Sequence, residues 1–237
     1  MVLQLSPVPL PGLLKFIMLH QPNFLQLAKC HKEASWDHCS LVTTLMIFWV
    51  FYAIVPPQCY VDDTKLILNF NLQDQANAIT KLNEDLCRIS NWTFRNQLLI
   101  NPSKTILIIF ASRAMVSKVE DFHLNLLGKE IIPATVAKDL GVIRDPYLTY
   151  NDHIASTVSS CMACLGQLNR VKHAFDPTTL TVIVNALVFS KLYYCCNVWS
   201  NTSEYNLSRV QAVQTFAARI VSNSCKYDHI SLILKDL

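Results

Sequence analysis

Glycine is scarce in this chain: four residues in 237. A phosphate cradle built on a glycine-rich loop needs the backbone to approach its ligand closely, and so few glycines argue against one. Charge is thin as well. Lys, Arg, Asp and Glu make up 16% of the residues, and the net charge of +3 is too small to constitute a nucleic-acid footprint by itself. No basic residue precedes the first apolar positions, so a cleaved signal peptide is not expected. Residues 41–55, LVTTLMIFWVFYAIV, form an uncharged apolar run of 15 that ends at Pro56-Pro57. That is short of the ~17–25 residues of a spanning helix, so a buried helix or strand is expected there. A membrane anchor on an interaction protein is the alternative reading of the same run. Cysteine, by contrast, is plentiful. Nine of them, an odd number without a secretory signal, point to free thiols in a reducing compartment, cytoplasm or nucleus. With 51% apolar residues the chain has ample material for a core.

Residues 1–59 hold six of the ten prolines and show no sustained helical or strand period. Regular patterning starts at Tyr60. A strand is predicted over 64–70, then a helix over about 73–95 with Ala76, Ile79, Leu82, Leu86 and Ile89 on its apolar face. Asp74, Lys81, Glu84, Asp85 and Arg88 fall elsewhere on it. Asn101-Pro102-Ser103-Lys104 reads as a turn between strands at 98–100 and 106–110. Short strands are predicted next at 122–127, 130–132 and 139–143, with Gly128-Lys129 as a turn. Helices are predicted at 152–174, 178–198 and 204–223, with Asp152 and Asp176 as N-caps and Pro177 at the first helical position. The order strand, helix, strands, helices gives an α+β fold followed by an all-α bundle.

The richest stretch is Tyr60-Val61-Asp62-Asp63. Two adjacent carboxylates at the start of a strand repel each other, and a fold that holds them together commonly places a cation between them. The plainer reading is a solvated turn, because Asp favours turns through local hydrogen bonds.

From Tyr60 onward the chain resembles the reverse transcriptase of non-LTR (LINE-type, jockey-like) retrotransposons. The resemblance spans about residues 60–237 and rests on blocks in order. They run from Tyr60–Thr64 through Ile89-Ser90-Asn91-Trp92 to Asn101–Thr105. Lys138-Asp139-Leu140-Gly141-Val142, Asp145, Leu148-Thr149 and His153-Ile154 come next. The last are Leu187–Cys195, Val198-Trp199, Val210-Gln211 and Ala217–Ile220. The resemblance implies a partial right-hand polymerase palm with its thumb junction at 60–150, a helical thumb at 151–237, and no clear domain at 1–59. It implies an RNA template, a DNA primer, Mg²⁺ or Mn²⁺, and no small-molecule cofactor. On that basis Asp62 is the direct metal ligand and Asp63 its support, with Tyr60 and Val61 against the primer end. Lys104 matches a lysine near the nucleotide phosphates, where a cation can assist the leaving pyrophosphate; its other reading is a surface lysine at a turn.

The chain departs from the pattern upstream. A third carboxylate comes, in that family, from an earlier block on a neighbouring palm strand. Residues 1–59 offer only Glu33 and Asp37 as acids, set in a polar stretch with no glycine-rich segment after them. The fingers have no room there either, and Pro56-Pro57 disturb the strand leading to Tyr60. A truncated reverse transcriptase, inactive alone, is the expectation. Arg170 and Lys172, with His173 and Lys191, either line a primer–template groove or form solvated helix faces. Charge beyond residue 150 is not lopsided, seven Lys and Arg against five Asp and Glu. Trp92, Trp199 and Tyr193-Tyr194 read as core before nucleic-acid stacking. Cys161 and Cys164 lie in a helical period without a second pair, so they read as core thiols rather than a zinc site. Cys30-His31 and His38-Cys39 match no zinc module.

Overall fold

The computed structural model describes residues 14–20, 55, 57–60, 63–96, 98, 100–225, 228 and 230. Within them the chain is α+β and divides into two units, Met1–Asp139 with Asp145–Leu148 and Leu140–Arg144 with Thr149–Leu237. The apolar run at 41–54, Glu33, Asp37 and the Cys–His pairs lie outside the described residues. Among the described residues no helix is long and apolar enough to cross a membrane.

The first unit is built on a four-stranded sheet. Its strands are β1 (Leu14–His20), β2 (Pro57–Tyr60), β3 (Asp63–Phe70) and β4 (Ile106–Phe110), in the order β2-β3-β1-β4. β1 is antiparallel to both β3 and β4. This corrects the sequence reading, in which no strand period precedes Tyr60. LKFIMLH is a nearly continuous apolar run, and such a short run shows no period of two by which a strand could be read. Pro57 does not disrupt the approach to Tyr60 either. It opens β2 at the sheet edge, where a missing N–H leaves no ladder bond unmade.

Helix α1 (Gln75–Arg95) comes after a 3₁₀ turn at Leu72–Asp74. Its buried stripe is Ala78, Leu82, Asp85, Leu86, Ile89 and Thr93. Leu82 and Leu86 share a core with Leu66, Phe70, Leu107 and Ile109 of the sheet, and Trp92 packs against that core. The helical period puts Asp85 on the charged face, yet it is buried. One carboxylate oxygen accepts the Val55 N–H at 2.8 Å, which fastens the chain just before β2 to the helix. Residues 98 and 100 form no strand: Leu98 N–H bonds Thr93 O at 2.8 Å and so belongs to the end of α1. Strands β5 (Leu124–Leu126) and β6 (Lys129–Ile131) make a hairpin. Its two-residue loop is Leu127-Gly128, with φ of 53° and 79°, not Gly128-Lys129 as expected from sequence. Positive φ at both positions matches the right-handed twist of the strands it joins. Strand β7 (Ala137–Asp139) ends the unit's main segment, and Ala137 packs with Ile108 and Phe110 on the sheet.

The second unit holds β8 (Val142–Arg144) and helices α2 (Asn151–Val171), α3 (Pro177–Val184) and α4 (Glu204–Ser222). Leu165, Val184, Val188, Val213 and Ala217 form its core. Asp176 caps α3 as predicted: its carboxylate accepts Thr179 N–H at 3.0 Å and Pro177 comes next. Asp152 does not cap α2. It lies in the first turn, and Tyr150, at φ 58°, precedes the helix without a side-chain cap. An acid there still faces the positive end of the helix. The single helix expected at 178–198 is broken. A π-helical stretch at Asn185–Phe189 leads into a short turn of helix, Ser190–Leu192, and the chain then reverses at Cys195, φ 51°. Trp199 explains why the break is stable, since its indole N–H donates to the freed Tyr194 carbonyl at 3.0 Å.

Gly141 is required by shape as well as by backbone. Its φ is +86°, and a Cβ there would lie 3.2 Å from the Tyr194 ring, whose hydroxyl donates to Leu140 O at 2.9 Å. Gly128 has a similar φ and nothing within 4 Å of a Cβ. Gly141→Ala should therefore cost about 1–2 kcal/mol, more than Gly128→Ala. Urea denaturation of the two variants side by side would check the difference.

Candidate functional site

Tyr60 and Asp63 face each other in the β2–β3 ladder, and Val61 and Asp62 lie outside the described residues. Asp63 is half-buried at the start of β3.

The sheet register decides what else comes near. Leu19 stands opposite Lys65 on one side and Ile106 on the other. The starts of β3 and β4 therefore lie at the same end of the sheet, two strand spacings or about 10 Å apart. Lys104, two residues before β4, is half-buried at that end in the turn that begins at Asn101. The turn is held by Asn101 Oδ1 accepting Ser103 N–H at 2.9 Å, and Lys129 Nζ donates to Ser103 Oγ at 3.1 Å. Asp63 and Lys104 thus share one end of one sheet.

The strand next to β3 is β1, and its end beside the Asp turn is Leu19-His20, with His20 opposite Thr64. LKFIMLH carries no carboxylate. Of the two adjacent acids only Asp63 is among the described residues; carboxylate oxygens would suit a hard, partly hydrated Mg²⁺ or Mn²⁺ with phosphate oxygens completing the shell. Among the described residues no group of three or more His, Cys, Asp or Glu is placed to hold a metal.

Behind the turn is a feature that sequence reasoning misses. Lys65 Nζ lies 2.5 Å from the Asp139 carboxylate, with both side chains buried. By sequence Lys65 is only part of an apolar strand, and Asp139 only part of a block. A lone lysine inside TKLILNF is the available signal, because Lys is almost never buried unless paired.

Arg170 and Lys172 lie in the second unit, at the end of α2 and in the 3₁₀ turn after it, Arg170 exposed and Lys172 half-buried. Lys191 reaches back to Ser160 Oγ at 2.5 Å. Tyr193 accepts a hydrogen bond from Gln214 at 2.8 Å. Trp199 is buried, as a core residue would be. Cys161 is buried too, its thiol directed at Val188 O at 3.7 Å, and burial raises its pKa.

His153 is buried in α2, where Nδ1 accepts Ile143 N–H at 3.4 Å and the ring lies 6.2 Å from that of Trp199. Burial lowers its pKa below the ordinary imidazole value. The unfolded chain, with the higher pKa of about 6.5, then binds the proton more readily. The stabilisation is full above that value and is lost as pH falls from it toward the folded-state pKa. Acid titration of the fold should show this loss below about pH 6.5, and His153→Gln should flatten it.

In sequence the chain is 26% identical over 182 residues to a Drosophila melanogaster protein named "Probable RNA-directed DNA polymerase from transposon BS". The match covers 75% of this chain and 20% of that protein, so the chain spans about a fifth of its relative's length. No family model and no solved structure matches. Over three quarters of its length the chain is thus distantly similar to a transposon RNA-directed DNA polymerase.

Proposed function

We propose that the chain is a portion of a non-LTR retrotransposon reverse transcriptase whose own residues do not complete a polymerase site. The first unit corresponds to the rear palm and the second to the thumb. Asp62 and Asp63 would hold one Mg²⁺ or Mn²⁺, which when bound supplies positive charge to phosphate oxygens. Tyr60 and Val61 border the primer end, and Lys104 serves the phosphates from the same end of the sheet. Nucleic-acid binding through the second unit, with Arg170 and Lys172 on the phosphate backbone, is the activity left to the isolated chain.

One observation carries the incomplete-site reading. The strand beside the Asp turn is Leu14–His20, and it has no carboxylate to add. In-line phosphoryl transfer with two metals needs ligands for both the attacking and the leaving oxygen. Primer extension on an RNA template with a DNA primer, in Mg²⁺ and then in Mn²⁺, tests this. No product above an Asp62→Ala control is expected. Extension that Asp62→Ala abolishes would overturn the reading. An RNA–DNA duplex should bind at low salt and be released as salt rises, with Arg170→Ala/Lys172→Ala weakening it several-fold. Absence of binding at low salt would sink the nucleic-acid role.

A further inference from the structure

We propose that Cys161 and Cys164 are a redox pair: a hydroperoxide closes them into a reversible disulfide inside α2, and closure loosens the π-helical stretch Asn185–Phe189. The proposal is independent of the polymerase reading. Cysteines three apart on a helix lie on one side of it, with Cα atoms about 5 Å apart. That is within the ~4.4–6.8 Å that a disulfide bridges. Their Cβ atoms, about 5–6 Å apart at this spacing, must close to ~3.5–4.5 Å. The bond therefore pulls that turn of α2 tighter.

The surroundings give the two thiols different parts. Cys164 is half-buried, whereas Cys161 is fully buried. An oxidant therefore meets Cys164 first. Lys191 supplies charge to the other thiol. Its ammonium donates to Ser160 Oγ at 2.5 Å, and its positive charge favours the Cys161 thiolate against the burial that opposes it. Packing alone asks for neither a cation beside one sulfur nor an open side on the other.

The Cys164 sulfur attacks the peroxide O–O bond and takes one oxygen as a sulfenic acid, and water or an alcohol leaves. The Cys161 sulfur then attacks the Cys164 sulfur. The S–S bond forms, the S–O bond breaks, and water departs with the Cys161 proton. Two electrons pass in all from the thiols to the peroxide. Val188 feels the closure. The Cys161 thiol is directed at Val188 O at 3.7 Å, within the π-helical stretch. Once bonded to Cys164, that sulfur has no hydrogen to donate, and the contact is lost.

The experiment treats the full chain with hydrogen peroxide, alkylates the remaining thiols and digests with trypsin. The tryptic peptide 145–170 contains Cys161 and Cys164 and no other cysteine. It should appear two hydrogens lighter and unalkylated, and accept both alkyl groups after reduction. Amides of 185–189 should exchange several-fold faster in the oxidised chain and recover on reduction. A peptide that stays doubly alkylated while the exposed Cys87 and Cys225 oxidise overturns the pair, as does either cysteine bonded elsewhere. A disulfide with unchanged exchange overturns the loosening. In Cys161→Ala, Cys164 should stop at the sulfenic acid and be trapped by dimedone; no adduct there overturns the order of steps. Should that variant fail to fold, Cys164→Ser decides: Cys161 should then keep its thiol, and its oxidation at the original rate overturns the proposal.

Discussion

Replacing Trp199 with alanine should destabilise the helical unit by about 3–5 kcal/mol, a large share of the 5–15 kcal/mol of an ordinary domain. The indole is 5% exposed and packs with Ile154, Leu192 and Val213 in one core. Its N–H also satisfies the Tyr194 carbonyl that the helix break leaves over. Alanine therefore removes packing and leaves a backbone acceptor to find another donor. Trp199→Phe keeps most of the ring and loses the donor, so it should cost clearly less. Hydrogen exchange across peptides from 151–171 would read both variants. The result also separates core from nucleic-acid platform: a stacking tryptophan lowers RNA–DNA affinity when removed and leaves exchange unchanged.

Leu107→Ala is expected to do comparable damage in the first unit, about 2–5 kcal/mol. Leu107 is fully buried in β4, in the core with Leu66, Leu82, Leu86 and Leu124. It lies where strand, α1 and the β5–β6 hairpin meet, so several elements would have to shift to fill the space. Its carbonyl also accepts Ala134 N–H at 2.7 Å, a bond that depends on the strand staying in place. Leu107→Met, nearly equal in volume, should cost under about 1.5 kcal/mol. Urea titrations of the two variants check the contrast, and equal losses would argue against a cavity as the cause.

Local signals carry well from sequence to structure. Strand 64–70 appears as Asp63–Phe70, and helix 73–95 as a 3₁₀ turn plus Gln75–Arg95. The cap at Asp176 and the proline after it are in place. Each of these depends on residues within a few positions of one another. The failures have a different character. Helix 178–198 breaks before its expected end, and the donor that satisfies the freed Tyr194 O comes from Trp199, outside the predicted helix. Asp85 is buried because Val55, 30 residues earlier, supplies an N–H. Nothing in the helical period of α1 announces that partner.

The Asp turn shows the same division. That Asp63 opens a strand comes from local pattern, and the sequence determined it alone, with the helix after that strand and the distant similarity to a transposon polymerase. The strand beside the turn, the lysine at its end of the sheet and the buried pair behind it were decided only by tertiary structure. Leu14–His20 meets β3 across more than forty residues of chain. Lys65 meets Asp139 across more than seventy. Such pairings are settled by which strands can close a sheet and which charges must be neutralised when buried, and neither condition leaves a period in the sequence.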